Sequence, residues 1–415
     1  MANRTRVDAK RKGGTTVVGT RRRIVIIGGG TAGITVAARL RRAGERDIAL
    51  IEPSERHAYQ PLWTLVGAGL VRKEETIRPE APLIPKGVHW IRDRAEEIDP
   101  EARVVETAGG VRIGYDFLVV APGIQIDWDR IPGLVEALET DSVSSNYDLN
   151  LAEKTARMIH AFRGGNAVFT NPGTPIKCAG APQKIMYLAS DRFRKNGVLK
   201  DTNVIFGHAG GVIFGVKPFA EELLRVIDRY GIDVHYKREL IEVRPETKEA
   251  VFEIKGEEGG TETIPYDIMH VAPPMSAPDF VKRSPLAVDE EFGWVEVDKH
   301  TLQNPDYPEI FALGDVAGSP NAKTGAAVRA QAPVVVANLR AVMAGREPTA
   351  RYDGYASCPL VTAENRMLLA EFDYEGNHAP TIPLIDTTRE RYSMYLLKRY
   401  GLPWMYWNRM LKGRA

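Results

Sequence analysis

The stretch RRIVIIGGGTAGITVAARLRRAG, residues 22–44, leaves a chain few ways to fold. Its apolar run Ile24–Ile27 reads as a buried strand, and a helix follows the glycines, with Ile34, Ala37, Ala38 and Leu40 on one face and Arg39, Arg41 and Arg42 towards solvent. DIALIEP, residues 47–53, is the next strand. The run is therefore a βαβ unit with the right-handed crossover of a doubly wound parallel sheet. The turn between strand and helix has the spacing G-x-G-x-x-G. Gly28 permits the tight turn, Gly30 lets the backbone approach a pyrophosphate, and Gly33 lets helix and strand pack closely. The helix N-terminus offers unpaired N–H groups to the phosphates, and Glu52 is placed to accept hydrogen bonds from a ribose.

The fingerprint alone does not separate FAD from NAD. YDFLVVAPG, ending at Gly123, and the distant strand EIFALGDVAG (309–318) with its Gly314-Asp315 pair do. Together they form the pattern of flavoproteins with two dinucleotide-binding domains, in which the Gly-Asp pair closes over the ribityl chain of FAD. Between them lies a second βαβ layout: a helix over 143–163, strands at 166–170, 202–208 and 232–243, a helix over 220–231, and a hairpin over 249–274. A long helix spans 324–345. The fold class is α/β with tandem Rossmann-like domains. The expected division is a basic, disordered leader (1–21), the first part of an FAD domain (22–140), a second Rossmann-like domain (141–280), the rest of the FAD domain (281–350) and a C-terminal part (351–415).

The bulk numbers exclude several alternatives. Lys+Arg 55 against Asp+Glu 54 in 415 residues gives no electrostatic drive towards nucleic acid. No apolar run reaches transmembrane length, and the polar, basic first 23 residues lack the apolar core of a secretory signal. No set of His, Asp and Glu suggests a metal site. Two cysteines, Cys178 and Cys358, cannot make a disulfide framework, and taken alone each reads as a small buried hydrophobe.

The local sequence of Cys178 changes that reading. NPGTPIKCAGAPQK, residues 171–184, joins strand to helix where a second glycine loop would bind NAD(P)H. It has no G-x-G-x-x-G, and Pro172, Pro175 and Pro182 remove backbone donors that a pyrophosphate would need. A nicotinamide donor is not expected, and a cysteine sits in its place.

PSERHAYQPLWTLVGAG (53–69), PIKCAGAPQKIMYLA (175–189), YDIMHVAPPMSAPD (266–279), WVEVDKHTLQ (294–303) and YDGYASCPLVT (352–362) together resemble the sulfide:quinone oxidoreductases, closest to the type found in mitochondria and some bacteria. The resemblance runs from about residue 22 to 411. It implies that Cys178 and Cys358 are catalytic, as a redox-active disulfide or a trisulfide beside the flavin, with Cys358 the sulfur attacked by hydrosulfide and Cys178 the flavin-facing thiolate. By position it implies FAD contacts at Gly28, Gly30, Thr31, Gly33, Glu52, Gln60, Ala95, Gly123 and Asp315, with Lys323, Thr324, Gly325 and Ala326 at the flavin. With no third cysteine, the FAD is expected to be non-covalent.

The implied partners are hydrogen sulfide, a quinone (ubiquinone or menaquinone), a small sulfur acceptor such as glutathione or sulfite, and a membrane surface; a homodimer is compatible with this scheme. The implied location is peripheral, on a bacterial or mitochondrial inner membrane. RYSMYLLKRYGLPWMYWNRMLKGRA, residues 391–415, suits that docking: it mixes six basic residues with aromatics, Met394, Tyr395 and Leu397 can share one helical face, and Pro403 is expected to break the helix. His57 reads as structural rather than as a base. An NADH:quinone or disulfide reductase of the same fold, or a flavin redox sensor, are the alternatives.

Overall fold

The protein was analysed as a computed structural model that describes residues 19–257, 259–288 and 291–415. A parallel sheet forms around the apolar strand expected at residue 24. Its neighbours in order are His89–Ile91, Ile48–Ile51, Thr20–Ile27, Arg112–Val120 and Ile310–Ala312. The strand Arg112–Val120 also pairs antiparallel with Val104–Thr107, which pairs with Ala95–Asp99. The outer strand Ile310–Ala312 comes from far along the chain, so the second domain is an insertion into the first.

That second domain has a five-stranded parallel sheet, ordered Val143–Ser144, Ile268–His270, Gly165–Asn171, Thr202–His208 and Asp233–Tyr236. The antiparallel strands Arg238–Arg244, Glu249–Ile254 and Thr261–Pro265 follow it in sequence. The helix expected over 143–163 is shorter, Leu149–Ala161, and a short strand precedes it. Asp148 sets its start, because the carboxylate accepts from the N–H groups of Asn150 (2.8 Å) and Leu151 (3.1 Å). At the N-terminus the first strand begins at Thr20, paired with Ile113, rather than at residue 22. Arg21 belongs to this strand because its guanidinium reaches Asp116 at 2.8 Å on the neighbouring strand. Residues 1–18 of the expected leader lie outside the described residues.

The C-terminal part adds a hairpin of Ala356–Ala363 and Arg366–Phe372, whose first strand packs on the helix Ala181–Lys195. The chain is then helical from Tyr392 to Asn408, with a wider π-type turn over Leu397–Gly401. Pro403 therefore does not break the helix as expected. It lacks an N–H for the Arg399 carbonyl, and the wide turn just before it absorbs the mismatch. Among the described residues, no helix is long and apolar enough to cross a membrane.

The glycine turn has almost no spare room. A Cβ added at Gly33 would lie 1.8 Å from the Gly28 carbonyl oxygen, and one added at Gly28 would lie 2.3 Å from that of Ala121. Gly33→Ala is expected to push the helix off the strand, lowering both the melting temperature and the fraction of protein purified with bound flavin. Normal flavin content and an unchanged melting curve would contradict this.

Candidate dinucleotide and dithiol site

One cavity of about 480 Å³ is bounded by Gly30 of the glycine turn, Gly123, the start of the helix Gly325–Met343, Cys178 and the C-terminal helix. Added Cβ atoms at Gly30 and Gly325 would meet nothing within 4 Å. Bare backbone therefore faces the open space at two of its corners, which suits the close approach of a pyrophosphate and a flat ring. Thr324 caps the long helix, its hydroxyl accepting from the Ala327 N–H at 3.1 Å, and leaves the first-turn N–H groups free for a ligand. Thr31, Gln60, Asp315 and Ala326 complete this part of the lining, and burial raises the Asp315 carboxyl above its ordinary range.

Other expected cofactor residues stand behind that lining. Gly28 and Gly33 shape the turn. Glu52 holds it, its carboxylate accepting from the N–H groups of Gly29 and Ser54, each at 2.7 Å. Burial raises the Glu52 carboxyl. Ala95 is buried at the start of its strand and is not brought to the cavity wall. Lys323 does reach the cavity, but its ammonium donates to the carbonyls of Asp315 (2.6 Å) and Ala317 (3.1 Å) and lies 3.8 Å over the Trp294 ring. Burial pushes it down to about 8. Its charge braces the Gly314-Asp315 turn.

The two cysteines, 180 positions apart in sequence, meet with their sulfurs 3.8 Å apart. Cys178 sits at φ +56°, a strained conformation for a residue with a side chain. Two backbone bonds hold it there: its N–H donates to the Lys323 carbonyl at 2.8 Å, and its own carbonyl accepts from Ala181 at 2.7 Å. Cys178 lines the cavity, whereas Cys358 is 3 % exposed and lies behind it.

Sequence reasoning missed the cations around this pair. Lys184, 2 % exposed in the first turn of its helix, places Nζ 3.0 Å from the Cys178 sulfur. The hydrogen bond from Cys358 and the Lys184 charge hold the Cys178 thiol well below its usual range. Cys358, as donor to that thiolate and buried, is pushed well above it. Burial alone would lower Lys184, but the nearby sulfurs more than reverse this and raise it. Lys398, in the π-type turn and 1 % exposed, donates to the Pro61 carbonyl at 2.6 Å, and burial together with Lys184 pushes it down to about 7. A signal for Lys184 existed, since it follows the cysteine by less than two helical turns. None existed for Lys398, which only tertiary packing brings in.

His57, read as structural, is buried in a hydrogen-bond chain. Its ring nitrogens contact Glu80 (3.0 Å) and the Tyr406 hydroxyl (2.6 Å), and that hydroxyl pairs with Thr31 at 2.9 Å. This chain of contacts ties the C-terminal helix to the glycine turn. The face expected to dock, Met394, Tyr395 and Leu397, packs inward instead. The exposed face carries Tyr392, Leu396, Tyr400 and Trp404, spaced every four residues.

Comparison with known proteins places this geometry. The family described as pyridine nucleotide-disulphide oxidoreductase matches residues 22–165. The chain is 49% identical over 387 residues to the mitochondrial sulfide:quinone oxidoreductase of Mus musculus, covering 93% of this chain and 85% of that protein. It is 42% identical to the Dictyostelium discoideum protein of the same name, with the same two coverages. The solved structure of sulfide:quinone oxidoreductase from Aquifex aeolicus, at 22% identity, superposes with a TM-score of 0.76 over 93% of this chain and 92% of that one, which shows the shared fold.

If Lys184 stabilises the Cys178 thiolate, Lys184→Met raises the titration midpoint of that thiol by about one unit or more, read as thiolate absorbance of the reduced protein against pH. An unmoved midpoint would remove Lys184 from this role.

Proposed function

The chain belongs to the sulfide:quinone oxidoreductase family, and from that membership we propose that it oxidises hydrogen sulfide at Cys178 and Cys358 and delivers two electrons through FAD to a quinone. The observation that carries the residue assignment is the pair of sulfurs 3.8 Å apart, with Lys184 at 3.0 Å from one of them, on the edge of the glycine-lined cavity. Gly30, Thr31, Gly123, Asp315 and the capped N-terminus at Thr324–Ala326 are the residues that would hold FAD, with Glu52 fixing the turn. When bound, FAD supplies a two-electron acceptor that a quinone can reoxidise.

The protein's own residues account for the sulfur chemistry. In the oxidised pair, hydrosulfide attacks the Cys358 sulfur. A new sulfur–sulfur bond forms there, the Cys178–Cys358 bond breaks, and Cys178 leaves as a thiolate. A good leaving thiol has a low pKa, which is what the Lys184 contact provides for Cys178. Attack at Cys358 therefore makes better use of the asymmetry than attack at Cys178. A nucleophilic acceptor, a role that a second hydrosulfide can fill, then takes the outer sulfur and frees Cys358, and closing the bond to Cys178 again releases two electrons. Lys398, poised near neutrality, can hold the proton that hydrosulfide brings. The apolar side chains Leu397, Leu402 and Met405 line the same cavity and suit the approach of a quinone ring.

For attachment to a membrane surface, the exposed stripe Tyr392, Leu396, Tyr400 and Trp404, with aromatic side chains that favour the headgroup region, is the surface we assign. Residues on the buried side of the same helical segment reach the cavity, so docking would set the quinone beside its entrance.

Purified flavoprotein given sulfide and a short-chain quinone should reduce the quinone, whereas NADH should not replace sulfide. Cys178→Ser and Cys358→Ser should each abolish bleaching of the flavin by sulfide while keeping flavin bound. Bleaching at the full rate in either variant would refute the dithiol assignment. For the surface, Tyr400→Glu combined with Trp404→Glu is expected to weaken co-sedimentation with anionic vesicles by roughly tenfold or more, and equal binding would move the docking site elsewhere.

A further inference from the structure

The cavity wall holds one hydrogen-bonded acid that the scheme above leaves unused. On the C-terminal hairpin, Ser357 pairs with Glu371 and Pro359 with Leu369, and all four line the cavity. Cys358 and Ala370 pair between them, and a Cβ on Gly180, behind the hairpin, would lie 2.4 Å from the Cys358 sulfur. The alternation of a strand therefore turns Glu371 to the cavity and Cys358 to the opposite face.

Glu371 is 2 % exposed, yet a single side chain separates it from water. Its Oε1 accepts from the Thr381 hydroxyl at 2.5 Å and from the Tyr355 hydroxyl at 2.6 Å, and its Oε2 accepts from the Thr381 N–H at 3.1 Å. Thr381 is exposed and Tyr355 half-buried, and both line the cavity beside Glu371. Arg329, on the long helix, donates to the Tyr355 hydroxyl at 3.3 Å. Burial first, and then the bond to Glu371, raise the Tyr355 hydroxyl, so it keeps its proton at neutral pH and acts as a donor. The local chain makes this cluster possible. The Ala379 N–H donates to the Glu371 carbonyl at 3.0 Å, which folds the loop back over the strand and sets Thr381 on the carboxylate.

The proton balance of the reaction calls for such a group. A quinone that takes two electrons takes two protons, and hydrosulfide carries only one. With an acceptor that adds none, one proton must enter from solvent at every turnover. Lys184 and Lys398, the lysines at the sulfurs, are 2 % and 1 % exposed, so they can hold the proton that hydrosulfide leaves but are themselves sealed from water. Glu371 is equally buried, but its hydroxyl partner Thr381 reaches the surface. Pro359, Leu369 and Ile382 make the wall around it apolar, which suits a quinone ring as its neighbour.

We propose that Glu371 is the acid that protonates the quinone, and that the hydroxyls of Thr381 and Tyr355 recharge it from solvent. The proposal rests on the quinone reading above and supplies the proton that reading requires. The carboxylate first takes a proton from the Thr381 or Tyr355 hydroxyl, which regains one from water. A quinone oxygen that has gained electron density then takes the proton from the Glu371 carboxyl, one O–H bond forming as the other breaks. Glu371 and both hydroxyls end each turnover as they began. The two electrons are those sulfide has already delivered, and the only further reactant is a solvent proton.

The test separates the two halves of turnover. Flavoprotein bleached with a stoichiometric amount of sulfide is mixed with a short-chain quinone, and the return of flavin absorbance is followed by stopped flow. Glu371→Gln keeps the shape and an acceptor for Thr381 but cannot cycle a proton. It should slow reoxidation by about a hundredfold, the lower end of what a positioned proton donor contributes, and slow bleaching by sulfide far less. Added formate, a small proton carrier, should restore part of the lost rate in Glu371→Gln and do nothing for the unaltered enzyme. Reoxidation at the full rate in Glu371→Gln, an equal slowing of both halves, or a slowing that formate does not lift would each overturn the proposal. Failure of the underlying reading has a separate signature, because the bleached, unaltered enzyme would then not be reoxidised by quinone at all.

Discussion

The site depends on one missing methyl group. A Cβ on Gly180 would lie 2.4 Å from the Cys358 sulfur and 2.7 Å from a Leu360 methyl, so only glycine lets the strand Ala356–Ala363 settle against the start of the helix Ala181–Lys195. That contact carries Cys358 to Cys178. It also orders what surrounds them: the helix brings Lys184, and the hairpin's second strand packs against the segment Tyr392–Leu396 that leads into Lys398. A larger residue at position 180 would separate the sulfurs before it disturbed either Rossmann-like sheet, since both sheets have their own buried cores.

The burial of so many cations at one place also suits the proposed sulfur chemistry. Lys177, Lys184, Lys323 and Lys398 come together at one cavity, a position that would cost an isolated ammonium several kcal/mol. They solve the problem differently. Lys184 is compensated by a thiolate and rises; Lys323 is compensated by two carbonyls and falls to about 8. Lys398 has one carbonyl and a like charge beside it, and falls to about 7. The result is a graded set: one firmly charged lysine at the Cys178 sulfur, and others able to give or take a proton. The proposed succession of hydrosulfide, persulfide and thiolate would use that gradation.

What the sequence disclosed and what it withheld divide along contact range. The glycine turn, Glu52, the Gly-Asp turn and the cysteine loop are local patterns, in which neighbouring residues impose the backbone and the backbone states its purpose. Each stands in the structure where those patterns put it, although Glu52 braces the turn and Lys323 braces its neighbour rather than reaching out. The pairing of the cysteines was legible only through resemblance, because nothing in 180 intervening residues encodes it. Lys184 was within reach of local reasoning. Lys398 and the outward face of the C-terminal helix were not, since each depends on which side of an element meets the rest of the protein. The expected face of Met394, Tyr395 and Leu397 illustrates the point: hydrophobic residues at helical spacing mark a face to be covered, and here the protein's own core covers it.

That inward turn links the two ends of the proposed reaction. The wide turn over Leu397–Gly401 lets one short segment present Lys398 to the sulfur pair, Leu397 and Leu402 to the cavity, and Leu396 and Tyr400 to the outside. A regular helix has 3.6 residues per turn, and inserting a wider turn rotates everything after it relative to what came before. Straightening the turn would therefore swing Tyr400 and Trp404 round relative to Tyr392 and Leu396, splitting the exposed stripe, and would pull Lys398 away from Pro61. The feature that Pro403 enforces thus couples the proposed docking face to the cation beside the cysteines, so that a lipid surface bound there would have a direct mechanical path to the sulfur pair on the other side.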